Sequence, residues 1–317
     1  MSDLKRKILK TAGVLGLNSL AGALGANKVY CVGYHSISSP KNTKELSGTL
    51  YHNLSISEEM FEKQVAFLLA HGHTIVPVSG LIKAVEKGVK KPTAIYFDDG
   101  YRDNLLNALP ILKKYEIPAT VFVITGVINR THVLWTLALR SLYAKTRRTF
   151  EDAELAIMNL KEIPAHEALK EVEKEYERAN IPLDPTEFNM ILDWGEVREL
   201  AEAGVEIGSH TVSHPNLARI DRSEVAFELE ESKREIERRI SRKIISFSYP
   251  YGRPSETVIG CVREAGYEVA VSGTQGWNSF EEILEHPLEV KKIAPRPGRS
   301  LADFSTLLYA TSLLKSL

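Results

Sequence analysis

The sequence predicts an α/β fold, a distorted (β/α)7 barrel with a helical insertion. Short, almost continuously apolar runs alternate with longer amphipathic ones, the pattern of parallel strands covered on both faces. The alternation recurs seven or eight times, which favours a barrel over a sandwich and leaves an open doubly wound sheet as the competing architecture. The chemically capable residues cluster just after these runs, at the strand ends where barrel enzymes keep their reactive groups.

Along the chain, Val29–Tyr34 is the first expected strand. Glu58–His71 reads as a helix, with Met60, Phe61, Val65 and Leu68 on one stripe. Thr74–Val78 and Ala94–Phe97 follow as strands, then a helix over Leu105–Tyr115 and a strand over Ala119–Ile124. Asn129–Asn189 breaks the rhythm: it holds no strand pattern, and Glu151–Asn180 is helical and dense in charges of both signs. Such a run predicts a solvated helical face, so the segment reads as an insertion, a lid or a partner surface, with Pro182 and Pro185 marking its exit. The barrel pattern resumes with Val205–Gly208, a helix over Glu224–Ile240, then Ile244–Tyr249, Glu268–Ser272 and Val290–Ala294. There is no internal repeat and no low-complexity tract.

At 317 residues the chain can bury a large core. A net charge of -1 with 26% charged residues argues against a nucleic-acid partner. The two cysteines, Cys31 and Cys261, cannot make a disulfide framework and are expected to be small core residues. Lys5, Arg6, Lys7 and Lys10 precede a mildly apolar stretch, Thr11–Ala26. Residues 1–26 therefore read either as a basic amphipathic helix on the barrel or an anionic membrane surface, or as a degenerate export signal with a cleavage site near Ala21-Gly22-Ala23. The first reading places the protein in the cytoplasm or at the cytoplasmic membrane surface, with a peripheral membrane or glycan-assembly partner. The second places it outside.

Phe97-Asp98-Asp99-Gly100 ends one apolar run, and His210-Thr211-Val212-Ser213-His214 follows another. Two adjacent carboxylates repel unless a cation or a proton relieves them, and Gly100 permits a turn that aims both at one site. On a helical turn, the i, i+4 spacing would put both imidazoles on one face, as metal pairs require. Three of these four groups could ligate a divalent metal while the fourth moves protons. Either motif alone could be an ordinary turn; each following a different strand makes a shared site the stronger reading. Tyr251, in Tyr249-Pro250-Tyr251-Gly252, offers a backbone N–H to an oxyanion or belongs to a plain strand-ending turn. His35 closes the first strand as an acid, a base or a packed histidine, and His286 and Arg296 are weaker candidates.

These residues resemble the NodB-homology polysaccharide deacetylases, carbohydrate esterase family 4, over roughly Val29–Arg296. The resemblance is carried by Gly33-Tyr34-His35, Phe61-Glu62-Lys63-Gln64, Phe97–Tyr101, Pro118–Phe122, Gly208–His214, Phe247–Gly252 and Glu264-Ala265-Gly266-Tyr267, in that order. It implies a seven-stranded barrel with a divalent metal, most often Zn2+, with Co2+ or Ni2+ able to replace it. Asp99, His210 and His214 would be the ligands, Asp98 the general base, and the Tyr251 N–H an oxyanion donor. The substrate would be an N-acetylated glycan in envelope or surface polysaccharide metabolism. An O-acetyl ester, a non-sugar amide and a non-catalytic glycan-binding role are the alternatives. The chain departs from the family pattern in three places. Ser248 stands where many relatives carry an arginine, the late aspartate–tryptophan motif is not recognisable around Trp277, and His286 fits the late acid histidine only loosely. Arg296 is the expected replacement for the arginine. His35, typical of the biofilm-polysaccharide-deacetylase-like branch, is the expected assisting group.

Overall fold

The computed structural model describes residues 27–39, 54–183, 190–252 and 254–309. Residues 1–26, read above as a basic helix or export signal, lie outside the described residues. The described chain runs β1 (Lys28–Tyr34), β2 (Ser36–Ser38), β3 (Ser55–Ser57), α1 (Glu58–Ala70), β4 (Thr74–Val76), α2 (Leu81–Glu86), β5 (Pro92–Phe97), a π-helical turn (Asn104–Ala108), α3 (Leu109–Lys114), β6 (Thr120–Val123) and α4 (Thr125–Ile128). It continues through α5 (Trp135–Lys145), α6 (Phe150–Leu160), α7 (Ala165–Arg178), α8 (Trp194–Glu202), β7 (Glu206–Ser209), α9 (Arg222–Ile240), β8 (Ser246–Ser248), α10 (Glu256–Glu264), β9 (Val269–Gln275), β10 (Asn278–Ser279), α11 (Phe280–Glu285), β11 (Val290–Lys292) and α12 (Leu301–Tyr309).

Strands β1, β5, β6, β7, β8, β9 and β11 pair in parallel in that order. The ring closes where Val32 of β1 bridges Ile293 just past β11. Gly33 N–H donates to the Ile293 carbonyl at 2.9 Å, and Ile293 N–H to the Cys31 carbonyl at 2.7 Å. The expected seven-stranded barrel is therefore present, and its distortion has a visible cause. One edge of β5 is shared, with β4 taking Pro92–Ala94 and β6 taking Tyr96 and Phe97. One edge of β1 is shared likewise, with β10 antiparallel on Lys28 and Val29 and β11 reaching it only higher up.

Strand alternation sorts the side chains into two sets. Val29, Cys31, Ala94, Tyr96, Phe122, Val269, Val271 and Val290 pack together inside the barrel, and Leu81, Val85 and Ile283 of α2 and α11 plug the end where the strands begin. The opposite set, including Val32, Tyr34, Ile95, Phe97, Val121, Ile207 and Phe247, packs outward under the helices. The interior is full: a Cβ on Gly33 would lie 2.2 Å from the Tyr96 hydroxyl, and one on Gly208 would lie 2.4 Å from the Phe122 ring. Both cysteines are buried and unbridged, as expected.

The inserted helices differ from their sequence reading in one respect. α7 has the expected charged, largely solvated face, with Ala168, Val172 and Tyr176 buried beneath it. α5, however, is buried continuously from Trp135 to Tyr143 and belongs to the main core. The Tyr176 hydroxyl donates to the Ala138 carbonyl at 2.9 Å, and buried Arg140 pairs with Glu154 of α6 at 2.7 Å. The exit strap is tied beside the Asp-Asp-Gly motif, where Arg102 N–H donates to Met190 and Leu192 N–H to the Gly100 carbonyl. Charge density in α7 conceals the apolar helix before it. Among the described residues, no helix is long and apolar enough to cross a membrane.

His73 locks the C-terminal helix to the barrel. Its Nδ1 lies 2.7 Å from Thr93 Oγ1 and its Nε2 2.7 Å from the Tyr309 hydroxyl. Burial holds its pKa down at about 3, below the ordinary 6.5. A depressed folded value means the unfolded chain binds the extra proton. This contribution is therefore complete above pH 6.5 and is lost as pH falls towards 3. Replacing His73 with Phe should lower stability most above pH 6.5, with the gap to wild type closing as acid is added. Urea unfolding across that range checks this, and parallel stability curves for the two proteins would contradict it.

Candidate active site

Inward alternation, continued to the C-terminal rim of the barrel, determines which polar groups meet. Gly33 leads to His35, Tyr96 to Asp98, Gly208 to His210, Ser246 to Ser248 and Val290 to Lys292. Asp98, Asp99, His210 and His214 are all buried, and His35 is half-buried. Asp99, His210 and His214 each offer one ligand atom, and these atoms lie within 4.8 Å of one another. His210 Nε2 is 3.5 Å and His214 Nε2 3.6 Å from the same Asp99 oxygen, Oδ1.

The donor chemistry fits a divalent cation. His210 Nδ1 lies 2.7 Å from the Ser248 carbonyl, which can only accept, so Nδ1 carries the proton and the Nε2 lone pair faces Asp99. His214 is held well below the ordinary imidazole pKa, chiefly by burial and then by the charges of His210, His35 and Arg140, so it too offers a neutral nitrogen. Asp98 Oδ1 and His214 Nδ1 are buried without a hydrogen-bond partner among the described residues. Two imidazole nitrogens and one carboxylate, with a second carboxylate alongside, form the set a catalytic zinc site uses.

The imidazoles converge differently from the sequence expectation. Residues 210–216 form a loop, not a helical turn. Thr211 and His214 sit at φ +71° and +59°, in the left-handed region that L-residues avoid. Asp99 at +72° and Tyr251 at +59° share that strain, so four of the ten non-glycine residues with positive φ among the described residues lie at this site. The loop is tied down by Thr125 N–H to the Thr211 carbonyl at 3.1 Å and Gly126 N–H to the Val212 carbonyl at 2.9 Å. Gly126 is required here, because a Cβ would lie 2.6 Å from the Val212 oxygen.

Tyr251 lies at the rim with its ring edge-on to His214, centroids 4.6 Å apart, and its other side towards Trp135 of α5 at 6.3 Å. Its backbone N–H donates to no described residue. The 250–252 turn sits tight against β9, and a Cβ on Gly273 would lie 2.4 Å from the Gly252 Cα. His35 faces the same centre. Burial pushes its pKa below 6.5 against the opposing pull of Asp99 and Asp98. Its carbonyl accepts from Asn104 Nδ2 at 2.9 Å, and the Ser36 hydroxyl donates to Asp103, whose carboxyl burial raises to about 7. The π-helical turn after the Asp-Asp-Gly motif thus braces the end of β1.

Two expected residues are not brought to the site. Arg296 is exposed between Pro295 and Pro297 after β11, and it makes no hydrogen bond or ion pair among the described residues. No contact among the described residues ties it to Asp98. His286 is 62% exposed at the end of α11, with Glu289 at 3.8 Å, and α11 packs at the end of the barrel where the strands begin. The cation that does face the rim is Lys292. Its positive charge and the negative charge of Asp98 act with opposite sign on both the Cys31 thiol and the His35 imidazole. The sequence reading misses it, although two-residue alternation from Val290 points it inward.

Comparison with known proteins agrees with this geometry. The family model described as polysaccharide deacetylase matches residues 86–270. Over 278 residues the chain is 24% identical to YxkH of Bacillus subtilis, named as a polysaccharide deacetylase, covering 87% of this chain and 74% of that one. A shorter stretch of 82 residues is 40% identical to the poly-beta-1,6-N-acetyl-D-glucosamine N-deacetylase of Staphylococcus epidermidis, covering 25% of this chain and 28% of that protein. Among solved structures, the Streptococcus pyogenes deacetylase PplD in complex with acetate superposes with a TM-score of 0.62 at 20% identity, over 89% of this chain and 99% of that one. IcaB from Ammonifex degensii superposes with a TM-score of 0.58 at 16% identity, over 88% and 97%. At such identities the superpositions show a shared fold. The family model, which spans more than half of the residues including the Asp-Asp and His-His motifs, shows more: the chain belongs to the polysaccharide deacetylase family.

Proposed function

We propose that the protein is a metal-dependent N-deacetylase acting on an N-acetylhexosamine-containing glycan of the cell envelope or surface. One observation carries the reading: Asp98, buried and with an unpartnered oxygen, stands beside a convergent Asp99–His210–His214 set. A non-catalytic glycan-binding protein has no need to bury two adjacent carboxylates against two neutral imidazoles. The local similarity to a poly-beta-1,6-N-acetyl-D-glucosamine N-deacetylase supports an acetamido sugar over an acetyl ester.

Asp99, His210 and His214 would hold the metal, most suitably zinc for this mixed nitrogen and oxygen set. When bound, the cation supplies Lewis acidity at the acetamide carbonyl and at the attacking water. Asp98 accepts the proton of that water as it adds to the carbonyl carbon. The Tyr251 N–H donates to the carbonyl oxygen as negative charge develops there. His35, facing both aspartates and neutral at rest, relays the proton that Asp98 has taken to the departing sugar nitrogen, so that the C–N bond breaks and acetate and a free amine are released. Lys292 supplies the positive charge that relatives place at the position of Ser248. His210, fixed by the Ser248 carbonyl, keeps its orientation throughout.

Metal-free wild type should take up one zinc per chain, and His214→Ala should lose most of that binding, as read by equilibrium dialysis. Stoichiometric binding by the variant would remove His214 from the ligand set. Asp98→Asn should retain the metal and lose on the order of 100-fold or more in turnover, since a positioned acid–base group contributes about that much. If Asp98→Asn loses metal instead, the two aspartates have the opposite roles. Acetate release should be found with N-acetylglucosamine oligomers and be much weaker with O-acetylated xylan. The reverse preference would replace the amidase reading by an esterase.

A further inference from the structure

The loop that carries both histidines is gripped from behind by one face of α9. Glu228 is buried, and its two carboxylate oxygens are both engaged by the loop. Oε2 accepts from Val212 N–H at 2.7 Å and from Ser213 N–H at 2.9 Å, while Oε1 accepts from the Ser213 hydroxyl at 2.6 Å. One helical turn on, Ser232 Oγ lies 2.7 Å from Ser209 Oγ, at the base of the same loop. The Ser232 hydroxyl is itself within 2.7 Å of the Glu228 carbonyl, so the two grips belong to one rigid turn. Thr211 lies between the two grips and His214 directly after them, both left-handed. A loop with two such residues relaxes unless its surroundings over-determine it, and here three bonds to a carboxylate do so. No oxygen of Glu228 is left over to ligate a metal or to accept a proton from substrate.

We infer that Glu228 is a positioning residue for the metal-binding loop, setting the direction of the His214 imidazole through the backbone it holds. The inference rests on the reading that His210 and His214 are ligands. It makes α9, outside the barrel and part of none of the motifs, part of the machinery that fixes the metal geometry. Glu228→Leu keeps most of the bulk and removes both acceptor oxygens, so the loop loses all three bonds, whereas in Glu228→Gln the amide oxygen can still accept both N–H groups and the NH2 can donate to a rotated Ser213 hydroxyl. The expected outcome of Glu228→Leu is a weakening of metal affinity by ~10–100-fold, the usual range for loss of an outer-shell partner.

The test uses the full chain, freed of metal. Zinc affinity is read by competition with a chromogenic chelator, and coordination geometry by the visible spectrum of the Co2+ form. Glu228→Leu should bind zinc more weakly and give an altered cobalt spectrum, and Glu228→Gln should restore most of both. Ser213→Ala, which removes one bond and leaves the carboxylate, should weaken zinc in the same direction by a smaller factor, about 2–10-fold. A variant that melts earlier but keeps the wild-type zinc affinity and cobalt spectrum would show that Glu228 only stabilises the fold, and would overturn the inference. If Glu228→Leu does not fold, Ser213→Ala carries the test, and unchanged affinity and spectrum there overturn it equally. Failure of wild type to bind zinc at all would remove the functional reading together with this one. Normal binding by wild type with no effect in Glu228→Leu or Ser213→Ala would remove this one alone.

Discussion

Two adjacent carboxylates buried at the rim of a barrel are the constraint on which the rest of the structure depends. Asp98 and Asp99 follow β5 directly, and neither is exposed enough for water to offset their repulsion. Each needs favourable partners from other strands, and parallel alternation delivers them. His210 comes from β7, Lys292 from β11, His35 from β1, and His214 from the loop after β7. Asp99 faces two imidazole nitrogens at 3.5 and 3.6 Å, leaving Asp98 with an oxygen that no described group satisfies. The same arrangement that is costly without a cation is the one that a metal held by Asp99, His210 and His214, as proposed, would relieve.

Such a site has to be braced, and the bracing is spread widely. Backbone strain gathers at Asp99, Thr211, His214 and Tyr251, and each lies beside a specific restraint. Gly100 accepts from the strap that ends the insertion, α4 donates two N–H groups into the histidine loop, and β9 presses Gly273 against the 250–252 turn. The interior glycines serve the same end. Gly33 and Gly208 leave room for Tyr96 and Phe122, which fill the lumen below the rim and give the polar layer a firm floor. The inserted helices join in through α5, whose Trp135 packs towards Tyr251 and whose Arg140 adds its charge near His214.

Much of this is legible in the sequence because the barrel repeats a simple rule. Eight apolar runs read as strands, and each overlaps an observed strand, with ends displaced by at most three residues. Asp98, Asp99, His210 and His214 can be grouped because each pair comes directly after such a run, and the rim gathers the residues at the strand ends. The part that is not legible depends on which residues pair across strands. Lys292 looks like one surface lysine among many until the closure of β11 on β1 turns it inward. Arg296, four residues later, looks better placed when counted along the sequence, but it is exposed between two prolines and no contact among the described residues ties it to the site. The carbonyl of Ser248 has no sequence signature at all, and Glu228 sits in a helix dense with acidic residues that gives no hint of its burial. The helical turn expected for His210 and His214 fails for a related reason, since i, i+4 spacing is also met by a loop with left-handed residues.

The central claim is that this rim holds one catalytic metal between Asp99, His210 and His214. Diffraction from crystals grown with zinc, with anomalous differences collected above the zinc edge, tests it most directly. The account predicts a single strong anomalous peak about 2.0–2.2 Å from the two Nε2 atoms and an Asp99 oxygen, with Asp98 outside the ligand sphere. A peak held by other residues, or zinc-loaded crystals with no peak at the rim, would contradict it.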